Sequence, residues 1–259
     1  IEAVSRQGEG QGSFICTDTK GALYRDTSKM VRQRGLKTYL LNLSDPWFSH
    51  RYNPLDNVHP ERRENEISKL ALAYTKNVRD EEAGAGDAVW EDTFKELLCA
   101  VWKYQFDYSY NPVTGQEESR AMWRTAELIK GLRLNDRGQI NAECEFSMII
   151  DAVRAQNPLH SSVTSFDFVM SGAAETVASV IFTAGSKISI FTYSEIESLT
   201  RCNDIPIDDI VQTPSAVYIN YEIGSAYKAI AALFIEQLFA SAYYIAETKY
   251  AGTLPKPLK

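Results

Sequence analysis

Asp18, Lys20 and Gly21 close the run Phe14-Ile-Cys-Thr-Asp-Thr-Lys-Gly, where a short apolar stretch breaks into polar residues. A carboxylate and an ammonium two residues apart at the end of a strand suit phosphate chemistry. Lys20 would act as an electrostatic donor, and Asp18 as an acid that orients a water beside the phosphates. The same residues also admit a structural reading, in which Asp18 caps the helix that follows and Lys20 is solvated. Both readings stay open at the level of sequence. What makes the pair a candidate site is its position, since ligands of open α/β sheets bind at the carboxyl ends of the strands.

The elements that position the pair follow from apolar patterning. Phe14–Thr17 is β-prone and bounded by polar turn residues, which predicts a buried strand. A helix of about a dozen residues and a second strand over Lys37–Leu43 complete a βαβ crossover, and Asn53-Pro54 then turns the chain. From Pro60 onward the pattern is helical. Helices are expected over Glu61–Val78, from Asp87 as N-cap to about Tyr108, over Glu117–Leu132 and over Asn141–Ala155. Asn157-Pro158 reads as the start of another helix, and a long apolar stripe from Val163 to Ile188 is interrupted by Gly172 and Gly185. Gly8–Ser13 reads as a turn feeding the first strand, and Arg79–Gly86 as a polar connection. A third strand is expected over Ser215–Tyr221, then a last helix capped by Ser225 and ending near Lys249. The fold class is therefore α/β, with residues 1–57 and 201–259 forming the α/β body and residues 58–200 a large inserted all-α domain.

Charge is uneven along the chain. The net charge is −7, which argues against nonspecific nucleic-acid binding by the whole. Residues 1–57 carry 8 Lys/Arg against 6 Asp/Glu, while residues 58–166 carry 13 against 18. Any DNA contact is thus expected in the first block. The helical region, with acids such as Glu81, Glu82, Glu117 and Glu118 expected to be exposed, suits a basic protein partner.

The four cysteines show no paired spacing and read as free thiols of a reducing compartment, with Cys16, Cys99 and Cys144 buried. His50, His59 and His160 form no zinc pattern, and Asp204, Asp208 and Asp209 read as a solvated acidic turn with no metal. Trp90, Phe94, Trp102 and Trp123 read as core residues, although aromatics also stack on single-stranded bases. Glu175 and Thr176 read as part of a packed helix. Ala229–Ala246 approaches the length of a membrane span, but Glu236 and Gln237 interrupt it, so a helix buried against the sheet is expected.

Five segments occur here in the order found in TraG/TraD-like coupling proteins of type IV secretion, and the chain resembles that family. They are Phe14–Tyr24 with its Asp-x-Lys-Gly turn, Gly35–Leu43 with Tyr52-Asn-Pro-Leu55, Val89–Leu98, Gly172–Phe191, and Gly252–Pro255. The resemblance implies a partial RecA-like nucleotide-binding domain carrying an inserted all-α domain. It implies ATP and Mg as cofactors of a longer parent protein, with Gly21 and Gln237 near the nucleotide; Gln237 also has the option of facing a neighbouring subunit. It further implies DNA, a relaxase or relaxosome accessory protein and secretion-channel components as partners. A homo-hexamer in the cytoplasm, anchored at the inner face of the bacterial membrane, is the expected assembly.

Residues 1–259 hold no G-x-x-x-x-G-K-[ST] phosphate loop, and the family's second acid motif would follow Pro257. The chain therefore reads as a segment between the two nucleotide motifs. It shows no signal peptide and none of the N-terminal membrane helices common in the family. By itself it is expected to bind no nucleotide and to hydrolyse none. A nonenzymatic adaptor that keeps the RecA-like shape is the alternative.

Overall fold

The computed structural model describes residues 11–78, 87–222 and 227–259. In chain order its regular elements are strand β1 (Phe14–Thr17), helix α1 (Ala22–Gln33), β2 (Lys37–Asn42), α2 (Arg63–Val78), α3 (Asp87–Asp107), α4 (Met122–Lys130) and α5 (Glu145–Gln156). They continue with α6 (Ser161–Met170), α7 (Ala174–Ile188), α8 (Ser194–Thr200), α9 (Ile207–Gln212), β3 (Ser215–Asn220) and α10 (Lys228–Lys249). The chain divides into two compact units, one of residues 1–57 with 198–259 and one of residues 58–197.

The first unit is built on a parallel three-stranded sheet of order β1-β3-β2. β3 is central, pairing Phe14 with Ala216 on one side and Asn42 with Asn220 on the other. A parallel strand in that position is covered on both faces, so β3 reads as an unbroken apolar run, Ser-Ala-Val-Tyr-Ile. On one face Phe14, Ala216 and Tyr218 pack with Val31 and Leu36 of the α1 region. Alternation sends Val217 and Ile219 to the other face, where both are fully buried. Helix α9 contacts β3, and α10 packs on α9 and on the 3₁₀ turn Pro54–Asn57.

The two outer strands end differently. At the free edge of β2, side chains take the donors, with Leu40 N–H giving to His50 Nδ1 at 3.1 Å and Asn42 N–H to Ser49 Oγ at 2.8 Å, while the Leu40 carbonyl accepts from His50 N–H at 2.9 Å. The edge of β1 instead meets backbone. Ile15 N–H donates to the Lys259 carbonyl at 2.8 Å and Lys259 N–H to the Ser13 carbonyl at 3.0 Å. Residues 257–259 thus lie alongside β1 in parallel, with Ser13 bridged to Leu258.

α10 is long and apolar enough to cross a membrane by length and composition, and 61% of its most apolar window is buried inside the protein. Its inward side carries Ala229, Ile230, Leu233, Phe234, Leu238, Ala242 and Ile245.

In the unit of residues 58–197 the regular elements described are helical, joined by turns and two isolated bridges. Its centre is aromatic. Tyr74 makes edge contacts with Phe94 and Trp102, and Phe146 meets Phe166 edge-on with centroids 5.4 Å apart. The Trp102 indole is satisfied by Thr125, whose hydroxyl donates to buried Gln105.

Several expected elements are revised. The helix expected over Glu117–Leu132 starts only at Met122. Glu117 bridges Tyr110, and Glu118 is drawn inward to accept from Tyr104 at 2.5 Å and from Arg124 at 2.7 Å. Glu118 is therefore a buried ionic anchor and not an exposed acid. Asn157 does not start a helix: its Oδ1 accepts from Leu159 N–H, and α6 begins at Ser161 with the His160 ring capping Ser162 N–H. The stripe from Val163 to Ile188 is two helices, bent by 119° with its turn at the break around Gly172. Cys16 is only half-buried, whereas Cys99 and Cys144 are buried; all four thiols are free. The expected connection over Arg79–Gly86, with Glu81 and Glu82, and the cap at Ser225 lie outside the described residues, as do residues 8–10 of the turn expected over Gly8–Ser13.

Candidate functional site

All three strands run in the same direction, so their carboxyl ends gather on one edge. Asp18 follows β1, Asn42 closes β2 and Asn220 closes β3. The register sets Asn42 opposite Asn220, and the two amides bond directly, Asn220 Nδ2 donating to Asn42 Oδ1 at 3.0 Å. Ser44 Oγ donates to Asn220 Oδ1 at 3.3 Å, and Asp45 N–H donates to Asn42 Oδ1 at 3.2 Å. Sequence reading did not single out Asn42, Ser44 or Asn220. The signal was present, since a polar amide ends each of two apolar strands.

Asp18 and Gly21 shape the β1 end of this edge. Asp18 is 5% exposed, and its Oδ2 accepts from Tyr24 N–H at 2.9 Å. That bond satisfies one of the orphan donors in the first turn of α1. Gly21 turns the chain with φ of +64°, in the left-handed region. A methyl group there would come within 3.3 Å of Asn220 Nδ2 and 3.4 Å of the Arg25 guanidinium. Lys20 is exposed, and its carbonyl accepts from Arg25 at 3.2 Å. Burial, reinforced by the charge of Asp18, pushes the Cys16 thiol up to about 11. A thiol raised in this way favours its protonated form at neutral pH.

Gln237 has a different setting. It is buried in α10, with Nε2 donating to the Pro54 carbonyl at 2.7 Å and Oε1 accepting from Tyr52 O–H at 2.5 Å. Burial holds the Tyr52 phenol well above its ordinary range, so it remains a donor. Gln237 thereby fastens the Tyr52-Asn53-Pro54-Leu55 turn to the last helix. Asn53, also buried, accepts from Leu55 N–H with its side chain and shapes the same corner. The three acids of the 204–209 stretch are separately engaged. Asp204 forms a two-pronged pair with Arg51, Asp208 accepts from Ser241, and Asp209 pairs with Lys37.

In the helical unit the polar chemistry collects around Arg124. Its guanidinium bonds Glu118 and Glu145, and beside it lies a cavity of about 280 Å³ lined by Glu117, Glu118, Trp123, Glu127 and Glu145. This unit carries 14 Lys/Arg against 22 Asp/Glu. Phe94 and Trp102 are fully buried, and Trp90 and Trp123 partly so, while Glu175 is exposed.

A parallel α/β sheet with a polar carboxyl edge, together with a helical unit, defines the class. Residues 9–256 match the family described as type IV secretory system conjugative DNA transfer. The chain belongs to that family. Among solved structures it is similar to the bacterial conjugative coupling protein TrwBdeltaN70, in a trigonal form in complex with sulphate. The identity is 13% and the TM-score 0.47, over 93% of this chain and 53% of that one. The chain thus spans about half the length of that protein. No curated protein sequence matches it.

Proposed function

We propose that this chain is the segment of a conjugative coupling ATPase that lies between its two nucleotide motifs, within a RecA-like domain. In the longer protein it would link a relaxase–DNA substrate to a type IV secretion channel, using ATP and Mg. The observation that carries this reading is the family match across residues 9–256.

The geometry supports a division of labour. The carboxyl edge, with Asp18, Lys20 and Gly21, is the side of the sheet that would face nucleotide. A strand continuing from Lys259 along β1 would deliver the second acid motif to that same edge. Asp18 would then do two jobs, holding the first turn of α1 and presenting its carboxylate at the site. Gln237 serves this edge indirectly, through the Tyr52–Pro54 corner. The acidic helical unit is assigned to a basic protein partner, a relaxase or its accessory factor, with the cavity beside Arg124 as the point of contact. The assembled parent would be a hexamer on the cytoplasmic face of the membrane.

The test uses the intact parent gene. Charge reversal at Glu117 and Glu127, which line the cavity, is expected to reduce plasmid transfer and retention of the relaxase while leaving ATP hydrolysis unchanged. Normal transfer by the doubly reversed protein would refute the docking role.

A further inference from the structure

Trp47 and Phe48 are 63% and 75% exposed, two large aromatic side chains in succession on the surface of the sheet-bearing unit. Exposed apolar side chains scattered singly need no explanation, but an adjacent pair of this size does. They are not on a loose loop. Pro46 begins the 3₁₀ turn Pro46–Phe48, and Asn42 holds it from both ends: its Oδ1 accepts from Asp45 N–H, and its Nδ2 donates to the Phe48 carbonyl at 3.4 Å. Phe48 N–H closes the turn on the Asp45 carbonyl at 3.0 Å. The next residue, Ser49, is itself bonded to β2.

The turn is connected to the cationic end of the carboxyl edge. Asn42 bonds Asn220, Asn220 lies against Gly21, and Gly21 lies against the Arg25 guanidinium. Lys20 and Arg25 are both exposed there. Asp45 is the exposed acid of the turn itself, and Asp18 is buried with its Oδ2 on Tyr24. Across residues 11–57 the chain carries 7 Lys/Arg against 4 Asp/Glu, the reverse of its overall balance. Rigid aromatics beside cations are the recognition chemistry of single-stranded nucleic acid, in which bases stack on rings and phosphates meet lysine and arginine.

We propose that Trp47 and Phe48 form a base-stacking platform for single-stranded DNA, with Arg25 taking an adjoining phosphate. This rests on the conjugative-transfer reading and adds to it the residues that would touch the transferred strand. Stacking tolerates any sequence, as a carrier of arbitrary DNA requires. The Asn42 and Asn220 amides act as positioning groups that keep the platform in place.

The test is titration of the 259-residue chain with a fluorescent dT20 oligonucleotide and with a 20-base-pair duplex, read by anisotropy at several salt concentrations. Trp47 is the most exposed of the four tryptophans, so intrinsic fluorescence gives a second readout. The expected result is quenching by dT20, a preference for dT20 over duplex, and affinity lowered about ten-fold by Trp47→Ala or by Phe48→Ala. Trp47→Phe should retain most binding. Arg25→Gln should flatten the dependence of log K on log salt by about 0.7, one phosphate on a single strand. Circular dichroism of each variant verifies that it is folded.

No binding of dT20 by the wild-type chain, or equal binding by folded wild-type, W47A and F48A proteins, would overturn the proposal. So would equal affinity for duplex, which would show plain charge attraction. Failure of this platform leaves the transfer phenotype of the cavity variants intact. Conversely, failure of the coupling reading would appear in transfer assays and not in the oligonucleotide titration, so the two are separable.

Discussion

Replacing Gln237 with leucine should destabilise the sheet-bearing unit more than any loss at its surface. The substitution conserves apolar bulk but leaves two partners stranded. Tyr52 O–H, on a side chain with no exposed surface, loses its acceptor, and the Pro54 carbonyl loses the donor 2.7 Å away. Each buried polar group left unsatisfied costs about 1–3 kcal/mol. Taking the middle of that range for two groups gives about 4 kcal/mol. For a protein of this size 1 kcal/mol corresponds to roughly 2–4 °C in melting temperature, so a fall of about 8–16 °C is expected. Tyr52→Phe removes only the hydroxyl and strands one acceptor, and should cost about half as much. Gln237→Glu adds a diagnostic. A carboxylate can still accept from Tyr52, but it faces the Pro54 carbonyl with no proton to give. The folded state would therefore raise the glutamate's proton affinity, and the variant should regain stability as pH falls through that raised value. Thermal unfolding followed by circular dichroism across pH 4.5–8 measures all three. A melting point for Gln237→Leu within about 2 °C of wild type would refute the reasoning, and would return Gln237 to the residues free to serve a ligand.

Further outcomes are expected. Gly21→Ala should cost about 1–2 kcal/mol in denaturant unfolding, because φ of +64° is strained for alanine and the new methyl meets Asn220 and Arg25; an unchanged midpoint would contradict this. In the intact parent, Asp18→Asn and Lys20→Ala should lower turnover more than stability, whereas normal specific activity in the folded fraction would leave Asp18 as a helix cap alone. The hydrogen bond from Arg154 holds the Asp167 carboxyl low, the hydrogen bond from Arg51 does the same for Asp204, and at Asp107 bonds from His160 and Arg63 outweigh the raising effect of burial. Carboxylates lowered in the folded state add stability that is fully present above the unfolded value of about 3.9 and is lost as pH falls through the folded values. Melting temperature should therefore drop on acidification below about pH 4, and less steeply in Asp167→Asn. The Cys16 thiol, raised to about 11, should alkylate slowly at pH 7 and faster as pH rises; rapid labelling at pH 7 would contradict the assignment.

Local pattern made much of this fold legible. The strand Phe14–Thr17 is as the apolar run indicates, α1 has the expected dozen residues, and β3 shows its central position in an unbroken apolar sequence. The turn at Asp18–Gly21 was visible because glycine and a capping acid act within a few residues of themselves. Segments longer than their true elements were those where a tertiary partner intervened. Glu118 carries no sign in its neighbours that it will be drawn in by Tyr104 and Arg124, whereas the shift of the helix cap from Asn157 to His160 has a local cause, the His160 ring reaching Ser162 N–H two residues on.

What the amino-acid sequence by itself determined is therefore the kind and order of elements, including the acid and glycine turn that closes β1. Pairings across long separations were decided only by the tertiary structure. Asn42 and Asn220 are 178 residues apart and meet because parallel register aligns the ends of β2 and β3. Tyr52 and Gln237 are 185 apart and meet because α10 lies on the Pro54 turn. Periodicity reports which face of an element is apolar, but not which other element will cover it. A polar side chain on that face is read as a site or as a structural bond only once its partner is known.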